Sequence, residues 1–102
     1  MGVDIGAALM IGEMFSHDED DFDELDFDEL DSLDFDVEGN HFSGSYICIG
    51  TTLARTDLYD TYTRISEVEN YDFMEEKITK KLQRLLPNRK LNVGMYLVTT
   101  IN

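Results

Sequence analysis

Apolar side chains recur along this chain with three different periods, and the changes of period mark its elements. From Val3 to Ile11 they fall on odd positions (Val3, Ile5, Ala7, Leu9, Ile11), the period of a strand with one buried face. Asp4 and the glycines lie on the other face, although Ala8 and Met10 also allow a strand buried on both sides, or a short helix. Phe42 to Leu53, FSGSYICIGTTL, is rich in β-branched and aromatic residues and predicts the central strand. Ala54 to Asp57 has the look of a turn, and Leu58 to Ile65, LYDTYTRI, of a further strand antiparallel to its predecessor. Alternation returns at Leu91, Val93, Met95, Leu97, Thr99 and Ile101 and predicts a closing strand.

The helical period belongs to the segment between these last two strands. Met74, Ile78, Leu82 and Leu85 are spaced by four and three and form one apolar stripe. Ser66 with Glu69 has the form of a capping box, and Asp72 with Glu75 offers a second start. Acids gather early and Lys77, Lys80, Lys81 and Arg84 late, as the helix dipole favours, and Pro87 ends the helix. Four or five strands and one principal helix predict a single α+β domain over residues 1–102. Its two layers are an antiparallel or mixed sheet and the main helix packed on one face.

The third period is five. Between the first two strands runs DEDDFDELDFDELDSLDFDVE, Asp18 to Glu38, with Phe22, Leu25, Phe27, Leu30, Leu33 and Phe35 set among carboxylates. A unit of FDELD fits neither strand nor continuous helix, and short helical turns joined by bends suit it best. Such a segment buries too little by itself to offset the entropy of ordering it, so it must be held by the rest of the domain or by a partner. Its end, Asp34 to Val37, is expected to pair with the following strand through a Gly39-Asn40 hairpin turn.

Charge sharpens this picture. The net charge is −14, and residues 1–54 hold fifteen acids with no Lys or Arg, whereas residues 55–102 hold seven acids and eight bases. Thirteen of the twenty-two carboxylates fall in Asp18 to Glu38. Acidity confined to one segment implies a surface with a partner of opposite sign and disfavours nucleic acid or an anionic membrane as that partner. One cysteine, Cys48 in an apolar run, predicts a small buried core residue in a reducing compartment. No apolar run approaches the roughly 20 residues of a membrane helix, and MGVDIGAALMIG lacks a basic leader. Together these lead to the expectation of a cytoplasmic protein.

Candidate chemistry is tested against the same residues. An EF-hand loop started at Asp18 meets Phe22 at a ligand position and Asp23 at the glycine, and starts at Asp21 and Asp26 fail at Leu25 and Leu30. No metal site is therefore expected. A solvated run of carboxylates does not separate pKa values as acid–base catalysis requires. His17 and His41 flank the run as surface groups or as pH-responsive partners of its carboxylates. Cys48 has no charged activator near it in sequence, and the glycines match no phosphate-binding loop. The expectation is a protein that is not an enzyme and needs no cofactor. The basic helix end, continued by Arg89 and Lys90, is either a solvated face or a dock for the acidic stretch, within the chain or across a homodimer.

Charge density points to a class of partner. Thirteen charges on a helix rising 1.5 Å per residue give one per roughly 2.6 Å, and extended, one per roughly 5 to 6 Å. Duplex DNA has one per about 1.7 Å and a single strand one per about 3.4 Å, so the compact form lies in the nucleic-acid range. In size, acidity and lack of catalytic motifs the chain resembles, as a class, the small phage-encoded DNA mimics that block restriction or CRISPR effectors. The resemblance is compositional and rests on Asp18 to Asp36. It implies an inhibitory protein acting in a host cytoplasm whose partner is a basic, nucleic-acid-binding protein. The partner-binding residues expected are Asp18, Glu19, Asp20, Asp21, Phe22, Asp23, Glu24, Asp26, Phe27, Asp28, Glu29, Asp31, Asp34, Phe35 and Asp36. An immunity protein capping a cationic nuclease toxin, and a self-assembling structural protein, fit the same composition.

Overall fold

A computed structural model describes residues 5–39, 46–57 and 70–101. In order these form β1 (Ile5–Ser16), α1 (Asp20–Asp23), α2 (Phe27–Ser32), β2 (Asp36–Gly39), β3 (Tyr46–Asp57), α3 (Tyr71–Leu85) and β4 (Gly94–Ile101). The described strands make one antiparallel sheet in the order β2-β3-β1-β4. The architecture is the α+β arrangement that the periods predict, with the acidic excursion between the first two strands.

Burial of both sheet faces decides how the strands are built. Cross-strand partners share a face, so register sorts the side chains. Phe15 opposite Ile47 and Glu13 opposite Ile49 face the same way as Ile11. Here lies the main core, in which Ile11, Phe15, Ile47 and Ile49 meet Ile78, Leu82 and Leu86. On the other face Ala8, Met10, Cys48 and Val98 form a second cluster, with Met14 and Tyr96 packed against it. The α3 stripe performs as its spacing requires: Ile78 and Leu82 are buried, while Met74 and Leu85 pack against the core. Gly12 and Gly50 lie opposite each other because the strands approach closely there, and a β-carbon on Gly50 would collide with the Ile11 carbonyl.

Several boundaries differ from the periodic reading. The first strand runs five residues beyond Ile11 to Ser16, because β3 continues to pair with it. Its even positions Ala8 and Met10 are fully buried while odd Ile5 is exposed, so it is a strand with two covered faces. Ala54 to Asp57 is not a turn. These residues extend β3 along Gly6 to Leu9, after a register shift between Leu9 and Met10 that leaves Leu53 without an opposite number. The main helix starts after Asn70, which is left-handed (φ 58°) and makes no side-chain cap, so Asp72 with Glu75 does not form the capping box. Residues 91–93 precede the last strand instead of opening it. Gly39, expected in a Gly39-Asn40 turn, instead ends β2 opposite Ile47; Asn40, His41, the Leu58 to Ile65 strand and the Ser66 with Glu69 cap lie outside the described residues.

Candidate acidic binding surface

The excursion is built by local capping and anchored by three kinds of contact. It opens with Ser16-x-x-Glu19, in which Glu19 Oε2 accepts from the Ser16 amide (2.6 Å) and Ser16 Oγ from that of Asp18 (3.3 Å). This is the reciprocal logic of a capping box applied to the turn that leaves β1. Asp26 caps α2, its Oδ1 accepting from the amides of Asp28 (3.0 Å) and Glu29 (3.3 Å). At the far end the Phe35 amide returns to the Leu30 carbonyl and that of Asp34 to the Asp31 carbonyl, both at 3.0 Å. With Asp34 in the left-handed region (φ 64°), this is a Schellman termination. Its usual hydrophobic pair is present too, since Leu30 and Phe35 both enter the main core.

Apolar anchoring follows the five-residue spacing. Leu30 is fully buried, Phe35 nearly so, and Phe22, Leu25 and Leu33 pack partly buried against the core. Phe27 is 45% exposed. Its ring meets Phe22 edge-on at 5.9 Å, and Phe22 in turn packs on His17 at 4.5 Å. Among the described residues His17 therefore rests on an aromatic ring rather than a carboxylate, and its buried Nε2 has no hydrogen-bond partner there.

Beside the ion pair of Arg55 with Glu38 at its far end, the excursion has a second charged anchor, Arg89. Its Nε donates to Glu13 Oε2 (3.0 Å) and its Nη1 to Glu19 Oε1 (2.9 Å) and Asp21 Oδ2 (2.8 Å). Its Nη2 donates to the Met14 carbonyl (3.1 Å), and the guanidinium lies 4.2 Å above the Phe15 ring. Glu13 is buried, and its second oxygen accepts from the Asn92 amide (3.1 Å). Burial alone would lower the Arg89 pKa, but the hydrogen bonds it donates to Asp21, Glu13 and Glu19 outweigh it and raise the pKa further above its ordinary value. The basic end of α3 thus docks the acidic stretch within the chain through the residue that follows it. Lys81 adds a weaker tie, donating to the Leu33 carbonyl at the α2 terminus (3.3 Å).

What remains outward is the candidate surface. Asp18, Asp20, Asp23, Glu24, Asp28, Glu29, Asp31 and Asp34 are exposed, and none forms a salt bridge with a cation among the described residues. Of the other expected contact residues, Glu19 and Asp21 are engaged by Arg89, Asp26 caps a helix, and Asp36 accepts from the Thr52 amide (3.0 Å). Phe35 belongs to the core, Phe22 is half-covered, and Phe27 is the aromatic ring that reaches solvent. Beside the surface, between the α2 terminus and α3, a cleft of about 320 Å³ is lined by Phe35, Thr51, Phe73, Met74, Lys77 and Lys81 among others.

No protein-family model, curated protein or solved structure matches this chain. Glu13 and Glu38 are the buried carboxylates near the site; both oxygens of Glu13 are engaged, by Arg89 and by the Asn92 amide, and Glu38 is paired with Arg55. Cys48 is equally poorly placed for chemistry, because burial, and then the charge of Glu13, push its thiol up to about 12. Among the described residues no three His, Cys, Asp or Glu side chains are arranged to hold a metal ion, and no helix is long and apolar enough to cross a membrane. The outward residues can offer a partner a folded array of carboxylates with one aromatic side chain at its centre.

Proposed function

We propose that this chain is a non-enzymatic inhibitory binding protein whose acidic excursion occupies the nucleic-acid-binding groove of a basic protein. This is the mode of small DNA mimics directed against restriction or CRISPR effectors. One observation carries the reading. The excursion's apolar residues and Arg89 fasten it to the sheet, while eight of its carboxylates stand outward without a cation among the described residues. A merely solubilising acidic loop needs no caps, no Schellman turn and no buried leucine. A surface that must hold charges in fixed relative positions needs all three, because pre-organisation lowers the ordering cost of association.

The division of labour is physical. Carboxylates of Asp20, Asp23, Glu24, Asp28, Glu29 and Asp31 accelerate encounter with a basic groove and make it salt-dependent. Phe27 slows dissociation by entering an apolar recess of the partner. The test is a pull-down from nuclease-treated host lysates at low and high salt, followed by titration of the captured protein with two variants. Replacing Asp23, Glu24, Asp28 and Asp31 by their amides should lower affinity by about a hundredfold or more, since each lost charge pair at an interface contributes on the order of 1 kcal/mol or above. It should also flatten the salt dependence, and DNA or RNA should compete with the wild type. Unchanged affinity and salt dependence in that variant would overturn the proposal.

A further inference from the structure

The cleft between the α2 terminus and α3 lies beside the carboxylate array and is built differently. Leu33 and Phe35 line it from the excursion, Met74 and Ile78 from α3, and together they make it largely apolar. Its volume of about 320 Å³ falls at the lower end of small-molecule sites, which run from about 300 to 1,000 Å³. An engineered apolar cavity of about 150 Å³ takes benzene, so twice that volume takes a fused pair of rings or a chain of similar bulk. Phe73, also in the lining, is 66% exposed and offers a ring for such a body to cover.

Charge narrows the class of ligand. Phe73, Lys77 and Lys81 are spaced by four, so they follow one another along the α3 surface, and all three line the cleft. Lys77 is exposed and forms no salt bridge among the described residues. Lys81 donates once, to the Leu33 carbonyl (3.3 Å), and lies 5.8 Å from the centre of the Phe35 ring. Two of its three N–H donors are left. Like charges at i and i+4 repel, yet in a chain of twenty-two carboxylates none bridges these two lysines among the described residues. Asp34 lines the cleft as well and pairs with neither.

We propose that this cleft binds a small amphipathic anion, an aromatic or medium-chain carboxylic acid. Its carboxylate sits between Lys77 and Lys81, and its apolar body lies against Phe35, Met74 and Ile78 with Phe73 over it. A cation would meet two ammonium groups, and an uncharged body of the same shape would cover them without offering an acceptor. A bare inorganic anion would leave the apolar lining wet. The net charge of −14 does not forbid an anionic ligand, because the lysines act at contact while carboxylates beyond the Debye length of about 8 Å are largely screened. The ligand also spans a join. The Leu33 and Phe35 amides close the α2 terminus by bonding the Leu30 carbonyl, so a body wedged between them and α3 pins the excursion to the helix.

Titration of the full chain with 2-naphthoate, followed by NMR chemical shifts, tests the site. Saturable binding with a dissociation constant of about 1 mM or below is expected, with the shifts centred on Phe35, Phe73 and Lys77. Naphthalene-2-carboxamide, the same shape without the charge, should bind about tenfold more weakly. Lys77→Gln should weaken naphthoate about three- to fivefold and leave the carboxamide unchanged, whereas Phe73→Ala should weaken both. Both side chains are exposed, so the fold survives these changes. At ten times the dissociation constant, exchange of the Leu33 and Phe35 amides should slow about tenfold. Equal affinity for naphthoate and its carboxamide, indifference to both substitutions, or no saturable shift up to about 10 mM would overturn the assignment. None of Asp23, Glu24, Asp28 and Asp31, whose amides test the acidic surface, lines the cleft, so the two proposals fail separately.

Discussion

The two halves of the acidic excursion are both dense in carboxylates and have different fates. Around α1, Glu19 and Asp21 converge with buried Glu13 on one guanidinium. Around α2, Asp28, Glu29, Asp31 and Asp34 stand exposed, and the nearby Lys81 binds a backbone carbonyl instead of a carboxylate. Contact with the sheet explains the difference. Glu13 is a buried charge on the core face, which must be paired and hydrogen-bonded to be tolerated, and the cation that pairs it also gathers the two acids that follow. The α2 carboxylates lie on the outer side of a helix anchored by Leu30 and remain hydrated. A count of acids therefore does not identify a binding surface; the position of the cation does.

The largest test of this contrast is Arg89→Met. It leaves a buried carboxylate without its counter-charge, a change of about 3 to 5 kcal/mol, read as the unfolding free energy in urea. The double variant Glu13→Gln with Arg89→Met should recover part of that loss, because the two changes are coupled through one contact. A loss below about 1 kcal/mol, the range of exposed pairs, would mean that the α1 acids are as solvated as those of α2.

How much of this was legible from the residues alone follows from the range of the interactions. The α3 stripe, the closing strand and the helical turns of the excursion are local patterns of spacing and capping, and each is present, although the closing strand opens at Gly94 and not at Leu91. The end of β1 was not legible. Glycine and glutamate after Ile11 break the alternation, and Glu13 is tolerated in the core only because Arg89, 76 positions away, reaches it. Ala54 to Asp57 misled for a related reason, since pairing with Gly6 to Leu9 overrides its weak strand character. Within the site, the phenylalanine spacing signalled anchoring, but only the fold separates Phe35, which is buried, from Phe27, which is exposed. Arg89 itself looked like the tail of a basic helix face. Its one sequence signal is that it follows Pro87, beyond the helix, where its side chain is free of the α3 surface.

A middle-sized effect comes from the cap of α2. Asp26→Ala removes the acceptor of the Asp28 and Glu29 amides and should cost about 1 kcal/mol. Amide exchange in α2 should quicken while α3 stays protected, because the change acts on one end of a short helix and leaves Leu30 in the core. Equal loosening of both would show that α2 is part of the cooperative core and not a platform mounted on it.

The smallest effect is the most discriminating. Asp34 sits at the C′ position of the Schellman turn in the left-handed region, where Asn and Gly are the favoured residues. Asp34→Asn keeps the shape, suits the backbone better and removes one of a set of mutually repelling charges. Thermal stability should therefore hold or rise, by at most about 0.5 kcal/mol. If the α2 carboxylates exist for a partner, the same change should weaken partner binding about two- to fivefold, the value of one charge at the rim of an interface. Stability and affinity then move in opposite directions, the expected signature of a charge kept for function against the preference of the fold. Were stability to fall by 1 kcal/mol or more, Asp34 would belong with Glu19 and Asp21 among the structural acids, and the boundary between the two halves would have to be drawn one turn later.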